Sequence, residues 1–200
     1  MRKIPRHLEN PIDDTLLLLT DIINPYFYKL GFTPNHITTL SLIFGILSIY
    51  YFYKEKFIVS GIMYFISYFF DCADGHYART YKMVTKFGDY YDHVKDVSIT
   101  SIMLYLIFRY HIKNKSKNII LYMIVITILS ILMMQHFGCQ EKYYKNDVDT
   151  LKHFKKYCNT HDVENKIKYT RFIGSGTLIL IVSLFIAFTP FFVSLDKLLF

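Results

Sequence analysis

The stretch that decides the fold reads Asp71-Cys72-Ala73-Asp74-Gly75-His76-Tyr77-Ala78-Arg79, then eight further residues, then Gly88, Asp92 and Asp96 at intervals of four. Long apolar runs adjoin it on both sides. A charged side chain inside such a run costs roughly 3 kcal/mol in a membrane, so it marks a functional site by default. The aspartates therefore indicate a functional site at or near a membrane face.

The distribution of apolar residues indicates a membrane protein. They make up 52% of the 200 residues, a share that is not far from that of a soluble protein. Here, however, they form long blocks separated by charged residues, as membrane spans do. The net charge of +7 suits either nucleic acid or anionic lipid. Because several apolar spans surround the charges, a lipid bilayer is the expected partner and nucleic acid is not.

The N-terminal segment, residues 1–33, is predicted to lie on the membrane surface. It is not typical of a cleavable signal peptide, because polar residues such as Glu9 follow the basic start before any apolar run begins. Asp13 or Asp14 is predicted to cap a short amphipathic helix that Pro25 interrupts. About ten residues cannot cross roughly 30 Å of hydrocarbon, so the sequence predicts an interfacial helix.

Residues 34–200 are predicted to form one transmembrane domain, an all-α polytopic bundle with five clear spans. Pro34 opens the first span, where its missing N–H costs little. After a turn at 54–56, the second apolar run, 57–70, makes only about 21 Å of helix, so this helix is expected to continue through Arg79 to complete its crossing. The first span is predicted to end near Tyr53. The third span is predicted to begin at Gly88 and to be mainly apolar over Val97–Phe108. The fourth is predicted over Asn118–His136, and the fifth over Phe172–Phe188, before Pro190.

The basic residues predict which side of the membrane the site faces. If the chain alternates sides, the aspartate stretch shares a face with the N-terminal segment and with the polar, Lys-rich segment 140–171. That face carries 15 Lys and Arg residues, against seven on the other. The positive-inside rule therefore predicts that the aspartates lie at the cytoplasmic face.

Three cysteines, Cys72, Cys139 and Cys158, are an odd number and lack the spacing of metal ligands. Neither a disulfide framework nor a zinc site is expected, and the sequence assigns these residues no role.

The spacing of the aspartates predicts metal chemistry. On a helix, Asp71 and Asp74 share a face, and so do Asp92 and Asp96. Carboxylates packed together repel one another unless cations neutralise them, and an all-oxygen set suits Mg²⁺ or Mn²⁺. Two such ions about 4 Å apart stabilise the attacking and leaving oxygens of a displacement at phosphorus. Because Arg79 supplies a forked donor for phosphate oxygens, the stretch predicts a site for a diphosphate substrate.

The same pattern resembles the signature of the CDP-alcohol phosphotransferases, also called CDP-alcohol phosphatidyltransferases, integral membrane enzymes of phospholipid synthesis. All eight fixed positions of D-x-x-D-G-x-x-A-R, eight residues, G-x-x-x-D-x-x-x-D are present. The opening of the first span at Pro34, Asn35 and Thr38 also resembles the family, so the resemblance covers roughly residues 30–110. It implies a six-helix bundle, usually a homodimer, preceded by an interfacial helix. The sixth span would have to be short, within Phe191–Phe200.

The resemblance also implies a role for each site residue. The metal set, for two Mg²⁺ or Mn²⁺ ions, is Asp71, Asp74, Asp92 and Asp96. Asp96, which lies near a metal, also acts as the general base on the acceptor hydroxyl. The contacts to the nucleotide or its diphosphate are Gly75, Arg79 and Thr85, with Asn35 and Thr38 close to the nucleotide. The implied reaction is attack by an alcohol on the phosphorus distal to cytidine, with release of CMP.

Several alternatives remain open from the sequence. The short chain favours CDP-diacylglycerol as the donor, whereas Asp92-His93 resembles the branch that transfers from CDP-choline or CDP-ethanolamine to diacylglycerol. An intramembrane prenyltransferase and a divalent-cation transporter also place carboxylates in helices. Arg171, just before Gly174, either belongs to a solvated surface or binds an anionic acceptor.

Overall fold

The computed structural model of the chain describes residues 2–144 and 150–199, and every regular element within those ranges is helical. In chain order the α-helices are α1 (Pro11–Lys29), α2 (Pro34–Tyr53), α3 (Phe57–Thr80), α4 (Lys86–Lys113), α5 (Asn118–Tyr144), α6 (Val163–Thr170), α7 (Ser175–Ala187) and α8 (Thr189–Leu199). Short 3₁₀ helices lie at Arg6–Leu8, Thr150–Tyr157 and Arg171–Ile173. The prediction of an all-α polytopic membrane bundle is confirmed.

The number of membrane spans differs from the five expected. By length and composition, four stretches within the described residues can cross a membrane: α2, α3, α5 and Val163–Ala187, which contains α6 and α7. The expected third span, α4, has 28 residues, but the charged residues in its first half and near its end lower its hydropathy. Helix α8 has 11 residues and spans only about 16 Å. It covers most of the stretch where a short sixth span was expected, but it is too short to cross roughly 30 Å of hydrocarbon.

Helices α2 and α3 form a tightly packed hairpin that positions the site. The turn between them places Glu55 at a φ of 56°. Along the contact, pairs of serines donate to each other's backbone carbonyl groups at 2.8 Å: Ser48 with Ser60, and Ser41 with Ser67. Small polar residues of this kind let helices approach closely in a membrane. As predicted, α3 continues through the aspartate motif, ending at Thr80.

The N-terminal helix differs from its prediction in two ways. Its cap is Asn10, whose side chain accepts the backbone N–H groups of Ile12 and Asp13, so neither Asp13 nor Asp14 is the cap. The helix also continues through Pro25 to Lys29. A proline removes one backbone hydrogen bond. The packing of α1 against α3 offsets this loss, and this packing is not encoded in the local sequence.

The expectation that the cysteines lack a pairing is wrong. Cys139 and Cys158 form a disulfide, and Cys72 is free. The 3₁₀ helix Thr150–Tyr157 returns along the end of α5, where a Cβ on Gly138 would lie 2.3 Å from the carbonyl oxygen of Phe154. Because Gly138 has no side chain, the two segments approach closely enough for the cysteines to meet. The disulfide lies in a small buried cluster with Ile4, Leu8 and Ile167.

Candidate active site

One cavity of about 620 Å³ is lined by all nine residues that the family resemblance assigned to the site. Its volume is within the range of small-molecule binding sites. It lies where the C-terminal half of α3 meets the N-terminal ends of α2 and α4. The proposed residues in its lining are Asn35, Thr38, Asp71, Asp74, Gly75, Arg79, Thr85, Asp92 and Asp96.

Three of the four aspartates form a group with the geometry of a metal site. Asp71 and Asp74 from α3 and Asp92 from α4 each offer a carboxylate oxygen, and these oxygens lie within 4.8 Å of one another. Asp74 is buried, and its Oδ2 accepts a hydrogen bond of 2.6 Å from the hydroxyl of Thr38. An all-oxygen group of this size fits one hard divalent cation.

Asp96 lies in the same cavity but outside this group. Its side chain is 51% exposed, against 21% for Asp71 and 26% for Asp92. Of these three carboxylates it is the most accessible to a molecule that enters the cavity. The arrangement therefore separates one carboxylate from the three that can share a cation.

Lys95 joins the aspartates, although no prediction from the sequence included it. Its ammonium group lies 3.0 Å from Asp92 Oδ1 and 2.9 Å from Asp96 Oδ1, and it also bonds Asp71. Ser41 accepts a further hydrogen bond from it at 3.0 Å. The sequence carried a signal for this residue, because a lysine beside aspartates within a mainly apolar helix is a functional candidate.

At one end of the cavity, the starts of α2 and α4 approach each other beside Arg79. The hydroxyl of Thr85 caps α4 by accepting the N–H of Gly88 at 3.0 Å. A Cβ on Gly88 would lie 3.0 Å from Oδ1 of Asn35, and a Cβ on Gly75 would lie 3.1 Å from a guanidinium nitrogen of Arg79. The two glycines therefore leave room for polar groups that can donate to or accept from a bound nucleotide.

The other end of the cavity carries polar groups that the sequence analysis did not assign to the site. They are Lys3, Glu9, Asp13, Gln140, Tyr144 and Ser175. Asp13 accepts hydrogen bonds from Tyr68 at 2.7 Å and from Ser175 at 3.1 Å. A Cβ on Gly176 would lie 2.2 Å from Asp13, so glycine is needed at the start of α7. The N-terminal segment thus forms part of the cavity wall.

Arg171 is not among the described residues that line the cavity. Its guanidinium group donates to the backbone carbonyl of His7 and lies 4.7 Å from the ring centroid of Phe172. These contacts hold the N-terminal segment against the loop before α7. The structure therefore gives no support to Arg171 as a ligand for an anionic acceptor.

The buried carboxyl group of Glu9 is expected to make the stability of the folded protein depend on pH. Burial, and then the charge of Asp13, raise the pKa of Glu9 from its ordinary 4.5 to about 7. Because the pKa of Glu9 is higher in the folded state than in the unfolded state, its contribution to stability is fully present at pH values below the unfolded pKa. This contribution is lost as the pH rises through 7, the pKa in the folded state. We expect the stability of the wild type to fall by about 3 kcal/mol from this group between pH 4.5 and pH 8.

Replacement by glutamine tests this expectation, because Glu9→Gln stays neutral at all these pH values. The variant should lose less thermal stability than the wild type between pH 5 and pH 8, measured as Tm in detergent. Equal changes in Tm for the two proteins would contradict the assignment.

Comparison with known proteins shows which family and which relative the chain resembles. The family model described as CDP-alcohol phosphatidyltransferase matches residues 32–195. An archaetidylinositol phosphate synthase from Pyrococcus horikoshii is 37% identical over 68 residues, which is 34% of this chain and 36% of that protein. The matched region thus covers little more than a third of the length of this relative. No solved structure matches the chain significantly.

Proposed function

The chain belongs to the CDP-alcohol phosphatidyltransferase family, and we propose that it transfers a phosphatidyl or phospho-alcohol group from a CDP-linked donor to an alcohol with release of CMP. One observation carries the proposal: all of the residues that the family signature nominates line a single cavity. The four apolar helices place this enzyme in a membrane, where a lipid substrate is dissolved.

The aspartate group holds the divalent metal in this proposal. Asp71, Asp74 and Asp92 are the ligands for Mg²⁺ or Mn²⁺, and Thr38 orients Asp74 through its hydrogen bond. Such an ion stabilises charge on the diphosphate oxygens in the transition state. Arg79 donates to the same diphosphate, and Gly75, Thr85 and Asn35 form the surface beside the nucleotide. The expectation of two ions stays a prediction.

Asp96 is the proposed general base. It accepts the proton of the acceptor hydroxyl while the hydroxyl oxygen attacks the phosphorus distal to cytidine, and CMP leaves. Its exposure supports this role, because a base must lie within hydrogen-bonding reach of the incoming alcohol. Lys95 bonds Oδ1 of Asp96 at 2.9 Å and so holds the carboxylate at the cavity.

The polar end of the cavity supports a small polar acceptor, and hence CDP-diacylglycerol as the donor. Glu9, Gln140 and Ser175 offer hydrogen-bonding groups to hydroxyl groups there. The Pyrococcus horikoshii relative, by its name, makes archaetidylinositol phosphate, which agrees with a lipid-linked donor. Transfer from CDP-choline or CDP-ethanolamine to diacylglycerol is the second candidate, supported by the pair Asp92-His93.

Release of CMP tests the proposed function. The purified chain in detergent is incubated with Mn²⁺ and with each pair of CDP-linked donor and alcohol acceptor. One pair should release CMP, and a chelator should abolish the release. No CMP from any pair would contradict the proposal. Diphosphate release from a prenyl donor would then indicate a prenyltransferase, and Mn²⁺ flux into vesicles would indicate a transporter.

We also propose that the cavity faces the cytoplasm, on the strength of the basic residues at that end. The Cys139–Cys158 disulfide lies at the same end. Disulfides are rare in the cytoplasm except in hyperthermophiles. The basic residues and the disulfide can therefore both face the cytoplasm only in a cell whose cytoplasm tolerates disulfides. A protease site inserted at the exposed Lys82 should be cleaved in inside-out vesicles, and cleavage in right-side-out vesicles would contradict the orientation.

The homodimer that the family resemblance implied stays a prediction. Light scattering of the purified chain in detergent would measure its mass and decide between one copy and two.

A further inference from the structure

Helix α7 begins at the polar end of the cavity, where its first residues bond a carboxylate of the chain itself. Asp13 Oδ2 accepts the hydroxyl of Ser175 at 3.1 Å and the backbone N–H of Gly176 at 3.4 Å. The N–H groups and the dipole at the start of a helix favour an anion such as a phosphate. In this cavity, Asp13 already occupies the position that such an anion would take.

A second acidic residue lies close to Asp13. Glu9 lines the same end of the cavity, and both residues are buried. Burial, and then the charge of Asp13, raise the pKa of Glu9, so the two carboxyl groups are near enough to interact. An anionic group on a bound molecule would bring a third negative charge into this poorly solvated space, where like charges repel more strongly than in water.

The basic side chains of the N-terminal segment are bonded to other carboxylates. Lys3 lines this end of the cavity, and its ammonium group lies 2.8 Å from Oε1 of Glu141, a fully buried side chain. Moving Lys3 to a phosphate would leave that buried carboxylate without its partner, at a high cost in stability. Arg2 and Arg6 both bond Asp14, which is not among the described residues that line the cavity.

We propose that the acceptor alcohol carries no phosphate, and that its own hydroxyl or ammonium groups donate hydrogen bonds to Glu9 and Asp13 at this end of the cavity. The proposal rests on the proposed function, because it names the class of alcohol that the same site takes. A phosphorylated alcohol would place its negative charge against the two carboxyl groups, and such like-charge contacts suppress binding of the wrong partner. A polyol and an amino alcohol both avoid this repulsion.

Tyr68 connects the polar end of the cavity to the aspartate group. Its hydroxyl donates to Asp13 Oδ1 at 2.7 Å, and it lies about one helical turn before Asp71 on α3. An alcohol bound against Asp13 would therefore lie next to the aspartates that hold the metal in the proposed function. Arg79 is assigned there to the diphosphate of the donor, so it is not available for a second phosphate on the acceptor.

Matched pairs of acceptors test the proposal. The purified chain in detergent, with Mn²⁺ and CDP-diacylglycerol, is assayed for CMP release at pH 8, where Glu9 is ionised because its pKa is about 7. The pairs are inositol and inositol phosphate, glycerol and glycerol phosphate, and ethanolamine and phosphoethanolamine. In the pair that the enzyme uses, kcat/KM should be at least about 100-fold higher for the alcohol without phosphate. Use of inositol or glycerol would identify a polyol, and use of ethanolamine an amino alcohol.

Glu9→Gln removes one negative charge and keeps the shape of the side chain. It should reduce this preference by about 10-fold, through a lower KM for the phosphorylated alcohol, with the KM for CDP-diacylglycerol unchanged. Glu164→Gln is the matched control. Glu164 lies 3.7 Å from His7 of the N-terminal segment and is 48% exposed, and it is not among the described residues that line the cavity. This control should keep the wild-type preference.

An equal or higher kcat/KM for a phosphorylated alcohol would overturn the proposal, and an unchanged preference in Glu9→Gln would overturn the role of Glu9. If Glu9→Gln does not fold, the wild-type preference still decides. Calorimetric binding of each alcohol to the chain with CDP-diacylglycerol, without divalent metal, separates the inference from the reaction. Binding of an alcohol without phosphate, but no CMP release from any pair, would overturn only the reaction. CMP release that favours a phosphorylated alcohol would overturn only the inference.

Discussion

Replacing Asp96 with asparagine is expected to lower the rate of CMP release by about 1,000-fold, within the range that a positioned general base contributes. The amide cannot accept the proton of the acceptor hydroxyl. Binding of Mn²⁺ and of the CDP-linked donor should survive, because Asp96 lies outside the group of three aspartates that fits a cation. Single-turnover measurements of CMP release, with donor binding followed by calorimetry, check both halves of this expectation.

Asp89→Asn is the matched control for this variant. Asp89 lies on the same helix, two turns before Asp96, and also lines the cavity, but the signature does not fix its position. Turnover in this control should stay near the wild-type rate. Normal turnover in Asp96→Asn would rule out the general base. An equal loss of turnover in both variants would mean that turnover depends on the total negative charge of the cavity and not on one general base.

Local sequence is sufficient to predict the hairpin of α2 and α3. Pro34 fits the first turn of a helix, the charged residues at 54–56 interrupt two apolar runs, and the second run is too short to cross a membrane unless it includes the motif through Arg79. Each of these signals acts within a few residues. The spacing of the aspartates then predicts the faces that meet, because positions three and four apart share a helix face.

The N-terminal part of the cavity depends on contacts between distant parts of the chain. Asn10 caps α1, and its amide also donates to Thr177 at 2.8 Å, 167 residues away. A short sequence window around Asp13 and Asp14 favours either aspartate as the cap, because both are good capping residues. Only the packed structure shows that Asp13 instead bonds Ser175 and borders the cavity.

The position of Lys95 was available from the sequence, in contrast to that of Asn10. Asp92 and Lys95 are three residues apart and therefore share a helix face. A lysine on the aspartate face of a mainly apolar helix indicates an ion pair inside the bundle. The signature obscures this point because its fixed positions do not include residue 95, so the residue that distinguishes this site falls between two that define the family.

Asp74→Asn is expected to lower the affinity for Mn²⁺ by at least about 100-fold and to abolish CMP release. Asp74 supplies one of the three carboxylates in the cation group, and loss of a hydrogen-bond partner of a ligand alone costs about 10- to 100-fold in affinity. Thr38→Val removes the 2.6 Å hydrogen bond to Asp74 and should produce that smaller loss. Calorimetric titration with Mn²⁺ measures both affinities.

Thermal stability separates loss of the metal ligand from loss of the fold. An asparagine at position 74 can still accept the hydrogen bond of Thr38, and it no longer repels the carboxylates of Asp71 and Asp92. The melting temperature of Asp74→Asn without metal should therefore equal or exceed that of the wild type, and Thr38→Ser, which keeps the hydroxyl, should bind Mn²⁺ as the wild type does. Unchanged Mn²⁺ affinity in Asp74→Asn would mean that the cation lies elsewhere. In that case Asp71 would serve to bind Lys95 and not a metal.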